Sequence, residues 1–507
     1  VKGIFAYDLN SEKADDNSYA FSFKANSDAT NAELVFTDAT SGEEVGTVPV
    51  AVKEGENSVT LTAIELPGEN GQSLNWAVKL AGKAITNIVR LNSNSDENTY
   101  SRAFSTVDKN PESNFFGRVY ASNRISAGNA QNGLYAYTPD WKRINSEPYR
   151  GGINFGNNYR IGIDGNGKIY IPDWADGTSG VYVADPANLE GSFTTFFEGT
   201  RDADGLITNN GEKVGSSSPG LCIAGTGANT KLYVYNEDMG NDVYAYNIGN
   251  TDGTIAATWA KAPSKSYGIG YLQLNTNGNV VADENGNIWV SQVRTAGNNN
   301  TGVPSLIYVD SEGNVKFNSG ANDFPDVLNG TGGGGFAISN DGKTLVINDA
   351  DGVMQFFNLS WNDNTPVLTP KYSFKAAAVL DGTSIYQMAF DYADNLIVSG
   401  KQLGIYSIPT DNNVVTVPAK KALVVTKQIT TGVEETVADV KVSVYPNPTV
   451  GSINIVSGEA IKTVKVFAMN GSLVAEGNTA TLDLSNLAAG VYMVKVNNQK
   501  AVRLIKK

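Results

Sequence analysis

Ile161-Gly162-Ile163-Asp164-Gly165-Asn166-Gly167-Lys168-Ile169-Tyr170-Ile171 is the stretch on which the fold turns. Two alternating apolar runs flank an Asp-Gly-Asn-Gly centre, the pattern of two antiparallel strands joined by a tight turn. A near copy runs Val280-Val281-Ala282-Asp283-Glu284-Asn285-Gly286-Asn287-Ile288-Trp289-Val290, with weaker copies at 336–347 and 388–398 and longer turns at 104–120 and 221–233. The apolar residues opening the second strand are Val119, Ile169, Leu232, Ile288, Leu345 and Leu396, at intervals of 50, 63, 56, 57 and 51. A third strand with an apolar pair follows each copy: Leu134-Tyr135, Val181-Tyr182, Val243-Tyr244, Ile307-Tyr308, Val353-Met354 and Ile405-Tyr406.

Six such units cannot bury both sheet faces alone and must stack radially and close, so residues 99–418 are expected to form a six-bladed β-propeller. Helical periodicity is nearly absent and Gly is frequent, 53 in 507, so the class is all-β. Upstream, six alternating runs at 19–25, 32–37, 43–50, 57–63, 74–80 and 84–91 predict a β-sandwich over 1–98, with Trp76 pointing into it. Residues 419–439 lack a period and read as a linker.

Composition excludes whole classes of chemistry. The 38 basic against 52 acidic residues give a net charge of −14, which leaves no broad basic surface for nucleic acid. With no histidine, a Ser-His-Asp triad, a His-ligated zinc and an imidazole switch are ruled out. A single Cys222, between Leu221 and Ile223, permits no internal disulfide and reads as a small buried hydrophobe. No apolar run is long enough for a membrane-spanning helix. A start at Val1 rather than Met suggests that a processed export signal preceded it.

The turn chemistry of 99–418 resembles NHL, gluconolactonase-like and surface-layer-protein propellers, which implies the fold and little about function. The first 98 residues are similar in pattern to immunoglobulin-like modules. At the other end, Tyr445-Pro446-Asn447-Pro448, then Val464 through Asn470-Gly471, then Leu482 through Gly490-Val491-Tyr492, and the basic Arg503-Leu504-Ile505-Lys506-Lys507 follow in order. Residues 440–507 thereby resemble the C-terminal sorting domain of the type IX (Por) secretion system. That resemblance implies a small β-sandwich, the secretion machinery as partner, passage through the periplasm, and display on or release from the outer surface of a Gram-negative cell.

Several motifs are decoys. Gly330-Thr331-Gly332-Gly333-Gly334-Gly335 fits G-x-G-x-x-G, but strand and turn follow it where a helix is required, so a glycine-lined approach to the propeller axis is expected. Gly162 to Lys168 fits a phosphate loop yet has Ile169 where a hydroxyl should stand. Calcium is weighed for two loops, Asp202, Asp204, Gly205, Asn209, Asn210 and Glu212 in one and Asp283, Asn285 and Asn287 in the other, although neither has EF-hand spacing. No cofactor is expected, with calcium at these loops kept as the one alternative.

Candidate ligand contacts come from geometry. The second strand of each blade ends at the face where ligands usually meet a propeller, which singles out Asn123, Asp173, Asn236, Gln292 and Asp349, with Trp174, Arg124 and Arg294 beside them and Tyr149, Arg150, Tyr267 and Tyr271 on the loops that lead into the next blade. Aromatic faces with amides and carboxylates suit a sugar or a polar peptide. A non-catalytic exported binding protein is favoured. The alternatives are a carboxylate- or divalent-metal-dependent lactonase, lyase or glycosidase, and an adhesion scaffold without a small ligand.

Overall fold

The computed structural model describes the chain except residues 16, 94, 96–97, 101, 125–130, 174–179, 197–199, 202–206, 210–211, 216–219, 237–241, 257–263, 271–277, 293–303, 321–333, 350, 376–384, 428–440, 498 and 500. Two compact units emerge, Val1–Gln428 and Ile429–Lys507. Among the described residues no helix is long and apolar enough to cross a membrane.

The first unit opens with a two-sheet sandwich. One sheet holds Ala6–Asp15, Ser18–Ala25 and Gly55–Thr62. The other runs in the order Val414–Pro418, Ser73–Ala81, Asn31–Asp38, Glu44–Pro49, with Leu423–Val424 also on Ser73–Ala81. Strict alternation explains the packing, because every second side chain of a strand faces the same way. Phe21, Phe23, Leu34, Phe36, Trp76 and Val78 are thereby buried in one core. Phe21 meets Trp76 edge to face at 5.0 Å, worth ~0.5–1.5 kcal/mol beyond the area buried.

Three expectations are corrected here. Ala6–Asp15 is a strand that the apolar pattern did not reveal, since its outer half is exposed and polar. Residues 84–91 are not a sandwich strand but pair with the last blade of the propeller. Residues 414–425 are neither propeller nor linker, because they hydrogen-bond to Ser73–Ala81 and place Val425 in the sandwich core. Alternation identifies a strand but not its partner, and the partners in the last two cases lie more than 300 residues away in the chain.

Six antiparallel sheets follow, each in chain order from the axis outward. The inner strands are Ala103–Val107, Gly162–Ile163, Gly220–Ala224, Asn279–Ala282, Phe336–Ile338 and Gln387–Phe390. The second strands are Val119–Asn123, Ile169–Asp173, Lys231–Asn236, Ile288–Ser291, Thr344–Asn348 and Leu396–Ser399. All six inner strands line one cavity of about 220 Å³, to which Thr106, Gly162, Cys222, Val280, Ala337 and Met388 contribute in turn. Sharing one axial cavity makes the sheets a closed six-bladed propeller. Between blades two and three stands an added sheet, Thr200–Arg201, Ile207–Asn209 and Glu212–Gly215, over part of the first calcium loop. Asp202, Asp204, Gly205 and Asn210 lie outside the described residues.

Ring closure uses a segment from the other end of the chain. Residues 85–91 lie as an outer edge on blade six: the Leu91 N–H donates to Ile405 O (2.7 Å), the Ser407 N–H to Val89 O (2.9 Å), and Ile85 and Thr410 exchange two bonds. Asn92 extends the pairing, accepting from the Ile405 N–H (2.9 Å) and donating to Leu403 O (2.9 Å). Blade six thus takes strands from both sides of the propeller sequence, which ties first blade to last.

The turns between inner and second strands explain the Asp-x-Asn-Gly signature. Asp164 Oδ1 accepts from the Asn166 and Lys168 N–H groups, and Asp283 repeats this with Asn285 and Asn287. Asn287 also donates to Asp283 Oδ2 and accepts from the Ser311 N–H. The second calcium loop is therefore an internally bonded turn. Gly167 stands at φ +80°, where a Cβ would be strained and would also crowd Asp108 Oδ2 at 3.0 Å.

The second unit is a small sandwich of two sheets. Ser443–Tyr445, Ile453–Val456 and Thr481–Leu482 form one, and Leu473–Gly477, Val464–Ala468, Gly490–Val496 and Val502–Lys506, in that order, form the other. Ile453, Val464, Val466, Val494, Val496 and Leu504 are buried between them. Asn447, between the two prolines, donates to Arg503 O (2.7 Å) and accepts from the Ile505 N–H (2.9 Å), fixing the last strand.

Candidate functional site at the loop face

The inner strands begin, and the second strands end, at one face of the propeller. Asp173 is fully buried there, and its two oxygens accept the N–H groups of Gly156 and Asn157 at 2.8 Å each. Asn123 accepts from the Arg102 N–H (3.2 Å) and donates to Gln131 O (3.1 Å). Gln292 donates to Pro304 O (2.9 Å), again fully buried. Asp349 accepts from the Asp351 and Val353 N–H groups and from Gln355 Nε2. These four side chains fasten the loops of their own blades. Asn236 ends its strand opposite Asp242. Trp174 and Arg294 lie outside the described residues.

What the structure brings together at this face is a different set, contributed by the residues just before the inner strands. Arg102 precedes Ala103–Val107, Tyr159 and Arg160 precede Gly162–Ile163, and Tyr386 precedes Gln387–Phe390. Equivalent repeat positions fall on one circle about the axis, so these side chains meet. Arg124 joins them because Ala103 pairs with Asn123, and its N–H donates to Arg102 O at 3.1 Å.

Three rings form the floor. Phe104 lies 4.4 Å from Tyr159 and 5.7 Å from Tyr386, centroid to centroid. Arg102 stacks over Tyr386 at 4.7 Å, while Arg124 and Arg160 approach Tyr159 at 5.3 and 5.0 Å. Guanidinium–ring contacts of this kind hold the cation by the negative face of the ring and leave its edge donors for other partners. Arg124 also donates to Asn157 Oδ1 at 2.9 Å. Burial holds the Arg124 guanidinium below its usual range, and the neighbouring Arg102 charge adds to the effect.

Arg160 plugs the axis. It is fully buried, and it donates to Tyr386 O (2.7 Å) from blade six and Gly278 O (3.2 Å) from the start of blade four. Beside it, Gln387 accepts from the Ile161 N–H (3.1 Å) and donates to Ile161 O (2.8 Å). The glycine run reaches the axis at Gly335, whose absent side chain lets its N–H reach Ile385 O at 3.0 Å; a Cβ there would sit 2.7 Å from that oxygen. Residues 330–333 lie outside the described ones. Below the plug the axial cavity is mostly apolar, and burial pushes the Cys222 thiol up to about 12, so it stays protonated.

Of this cluster, sequence reasoning had only Arg124. The signal that could have found the rest was the residue preceding each inner strand, aligned across the repeat. Arg150 and Tyr267, also considered from sequence, lie elsewhere: Arg150 reaches Gln131 at 2.7 Å, and Tyr267 donates to Gly286 O at 2.6 Å, between blades three and four. Among the described residues no group of three or more Asp, Glu or Cys side chains gathers as a metal-ligand set.

Residues 443–507 match the family described as the secretion system C-terminal sorting domain. The chain is accordingly exported by the type IX system to the surface or surroundings of a Gram-negative cell. No curated protein matches it. Similar solved structures include a protein of unknown function from Bacteroides thetaiotaomicron VPI-5482, at 13% identity and TM-score 0.39 over 81% of this chain and 100% of that one. They also include the extracellular domain of a putative one-component system from B. thetaiotaomicron, at 12% identity and TM-score 0.35 over 99% and 74%. A streptogramin B lyase aligns at 12% identity and TM-score 0.35 over 63% and 97%. These likenesses are loose, and the propeller rests on this chain's own sheets.

Proposed function

We propose that this exported chain is a non-catalytic binding protein whose propeller loop face takes a carbohydrate or polar peptide. The observation that carries the reading is the floor of Phe104, Tyr159 and Tyr386 with guanidinium groups over its two tyrosines, set at the axial end of the face. The half-exposed ring of Tyr386 and the Arg102 guanidinium stacked on it present an amphipathic surface with placed donors, which is how a polar site orients its ligand. Arg102, Arg124 and Tyr386 are each partly exposed, while Phe104, Tyr159 and Arg160 beneath them are buried. A rigid floor below reachable side chains lowers the ordering cost of binding.

Screening the purified full chain on a glycan and peptide array tests this. Binding that is lost in a Tyr386→Ala variant with unchanged far-ultraviolet circular dichroism is the expected result. A chain that binds nothing, or binds equally well without Tyr386, overturns it.

A further inference from the structure

We infer that the sorting unit meets its secretion machinery with the outer face of its four-stranded sheet, and that the partner's matching surface is acidic around an apolar centre. Residues 441–507 hold eight basic residues against three acidic ones, a net +5 within a chain of net −14, so everything before them carries −19. The field that draws in an acidic partner therefore comes from this sandwich.

Strand register places the charge. Residues paired across antiparallel strands share a face, and Val464, Val466, Val494, Val496 and Leu504 fill the core, so the side chains between them point outward. One outward row runs Leu473, Phe467, Met493, Arg503 from strand to strand, and the next runs Glu476, Lys465, Lys495. A sheet with one solvated face ordinarily alternates apolar in and polar out. Here Leu473 is 47% exposed, and Phe467 and Met493 are partly exposed without joining the core. Glu476 reaches Lys465 at 3.7 Å, an exposed pair too weak to fix either side chain.

An apolar row with cations at its end and along one side has the anatomy of a protein interface, a dry centre with a polar rim. A second copy would set Lys465, Lys495 and Arg503 against their own like, because a two-fold interface uses the same patch twice. A bilayer needs apolar side chains that sink ~5–10 Å into the headgroup boundary, whereas these lie among neighbours on a flat sheet. An acidic protein surface is the occupant that suits both the charge and the shape.

The test uses the full chain in its native host, with two readouts: the fraction that reaches the cell surface and medium, and photocrosslinking from benzoylphenylalanine at Leu473 or at Thr481, which faces outward on the other sheet. Replacing Lys465 and Lys495 together by Gln should slow export on the order of tenfold, by weakening the steered encounter. Replacing both by Arg, which keeps the charge, should not, and neither should Ser443→Glu with Thr481→Glu, which lowers the net charge equally on the other sheet. Leu473 should crosslink to a component of the secretion machinery through a peptide rich in Asp and Glu. Thermal midpoints of the purified variants check that each is folded. Equal export of the Gln and Glu double variants overturns the inference, as does crosslinking from Thr481 alone or to a peptide without acidic residues. Co-sedimentation of the full chain with vesicles of phosphatidylethanolamine and phosphatidylglycerol, lost in the Gln variant, would assign the face to a membrane. A dimer in sedimentation velocity, lost in the same variant, would assign it to a second copy, and either outcome overturns the acidic-protein assignment.

Discussion

Replacing Asn92 by Ala tests how the propeller ring is held shut. Asn92 Oδ1 is the acceptor for the Ile405 N–H at 2.9 Å, and Ile405 is fully buried, so water cannot take over that role. The other bond lost is the donation to Leu403 O, but that oxygen keeps Arg90 Nη2 at 3.1 Å. One stranded buried N–H costs ~1–3 kcal/mol, and with the lost bond the local total is about 2–3 kcal/mol. Since ~1.4 kcal/mol is tenfold in an equilibrium, blade six should open about 30- to 150-fold more often. Hydrogen exchange of the full chain, resolved by peptide, reads this directly. Amides of Leu403–Tyr406 and of 85–91 should exchange faster by that factor, while Lys231–Asn236 in blade three should be unchanged. Uniform acceleration in all blades, or none in blade six, would show that closure does not depend on this strap.

Three further outcomes follow from named contacts. Burial pushes the Asp391 carboxyl up to about 7 from an ordinary 3.8, even though it accepts from Ala393, Asn395 and the Asn395 side chain. The folded chain therefore keeps a proton that the unfolded chain releases, so this group's stabilisation is full below about pH 4 and is lost as pH rises to about 7. Urea midpoints should fall across that window, and the Asp391→Asn variant should show a flatter profile; parallel profiles would refute the assignment. Gly167→Ala should cost about 2 kcal/mol or more, from left-handed backbone strain of ~1–2 kcal/mol plus crowding against Asp108, whereas Gly342→Ala, at φ +69° with open space around it, should cost only the strain; equal losses in denaturant midpoint would remove the crowding argument. Deleting residues 441–507 should leave the first unit folded and hold it in the periplasm of its native host, as read by cell fractionation; surface display of the truncated chain would contradict the role of the sorting domain.

Local chemistry was readable from the chain itself. The Asp-Gly-Asn-Gly and Asp-Glu-Asn-Gly centres specify turns because one Asp oxygen can hold two N–H groups of its own loop and the Gly accepts a left-handed φ. Counting such turns with their flanking strands was enough for six blades. The sorting domain was legible for the same reason, since its signature is a series of turns and alternating strands within about seventy residues.

Partnerships between distant segments were not readable, because alternation reports which side of a strand is buried and nothing about which backbone accepts its hydrogen bonds. The run at 84–91 looks like any sandwich strand, yet it closes blade six; the run at 414–418 looks like the end of the propeller, yet it completes a sheet begun at Asn31. Three buried asparagines make the same point. Asn26, Asn395 and Asn413 bond Gly3 O, the Gly3 N–H and the Ile4 N–H, clasping the first residues between sandwich and blade six, and no local pattern distinguishes them from turn asparagines. At the candidate site the described residues show a related reason. Ends of second strands are polar because their own loops need donors and acceptors there, as Asp173 and Asp349 show. Strands, turns and the number of blades are properties of neighbouring residues and could be read along the chain. Which strap shuts the ring and which side chains meet at its axis are set by folding, because Arg102, Tyr159 and Tyr386 become neighbours solely through the rotation that relates one blade to the next.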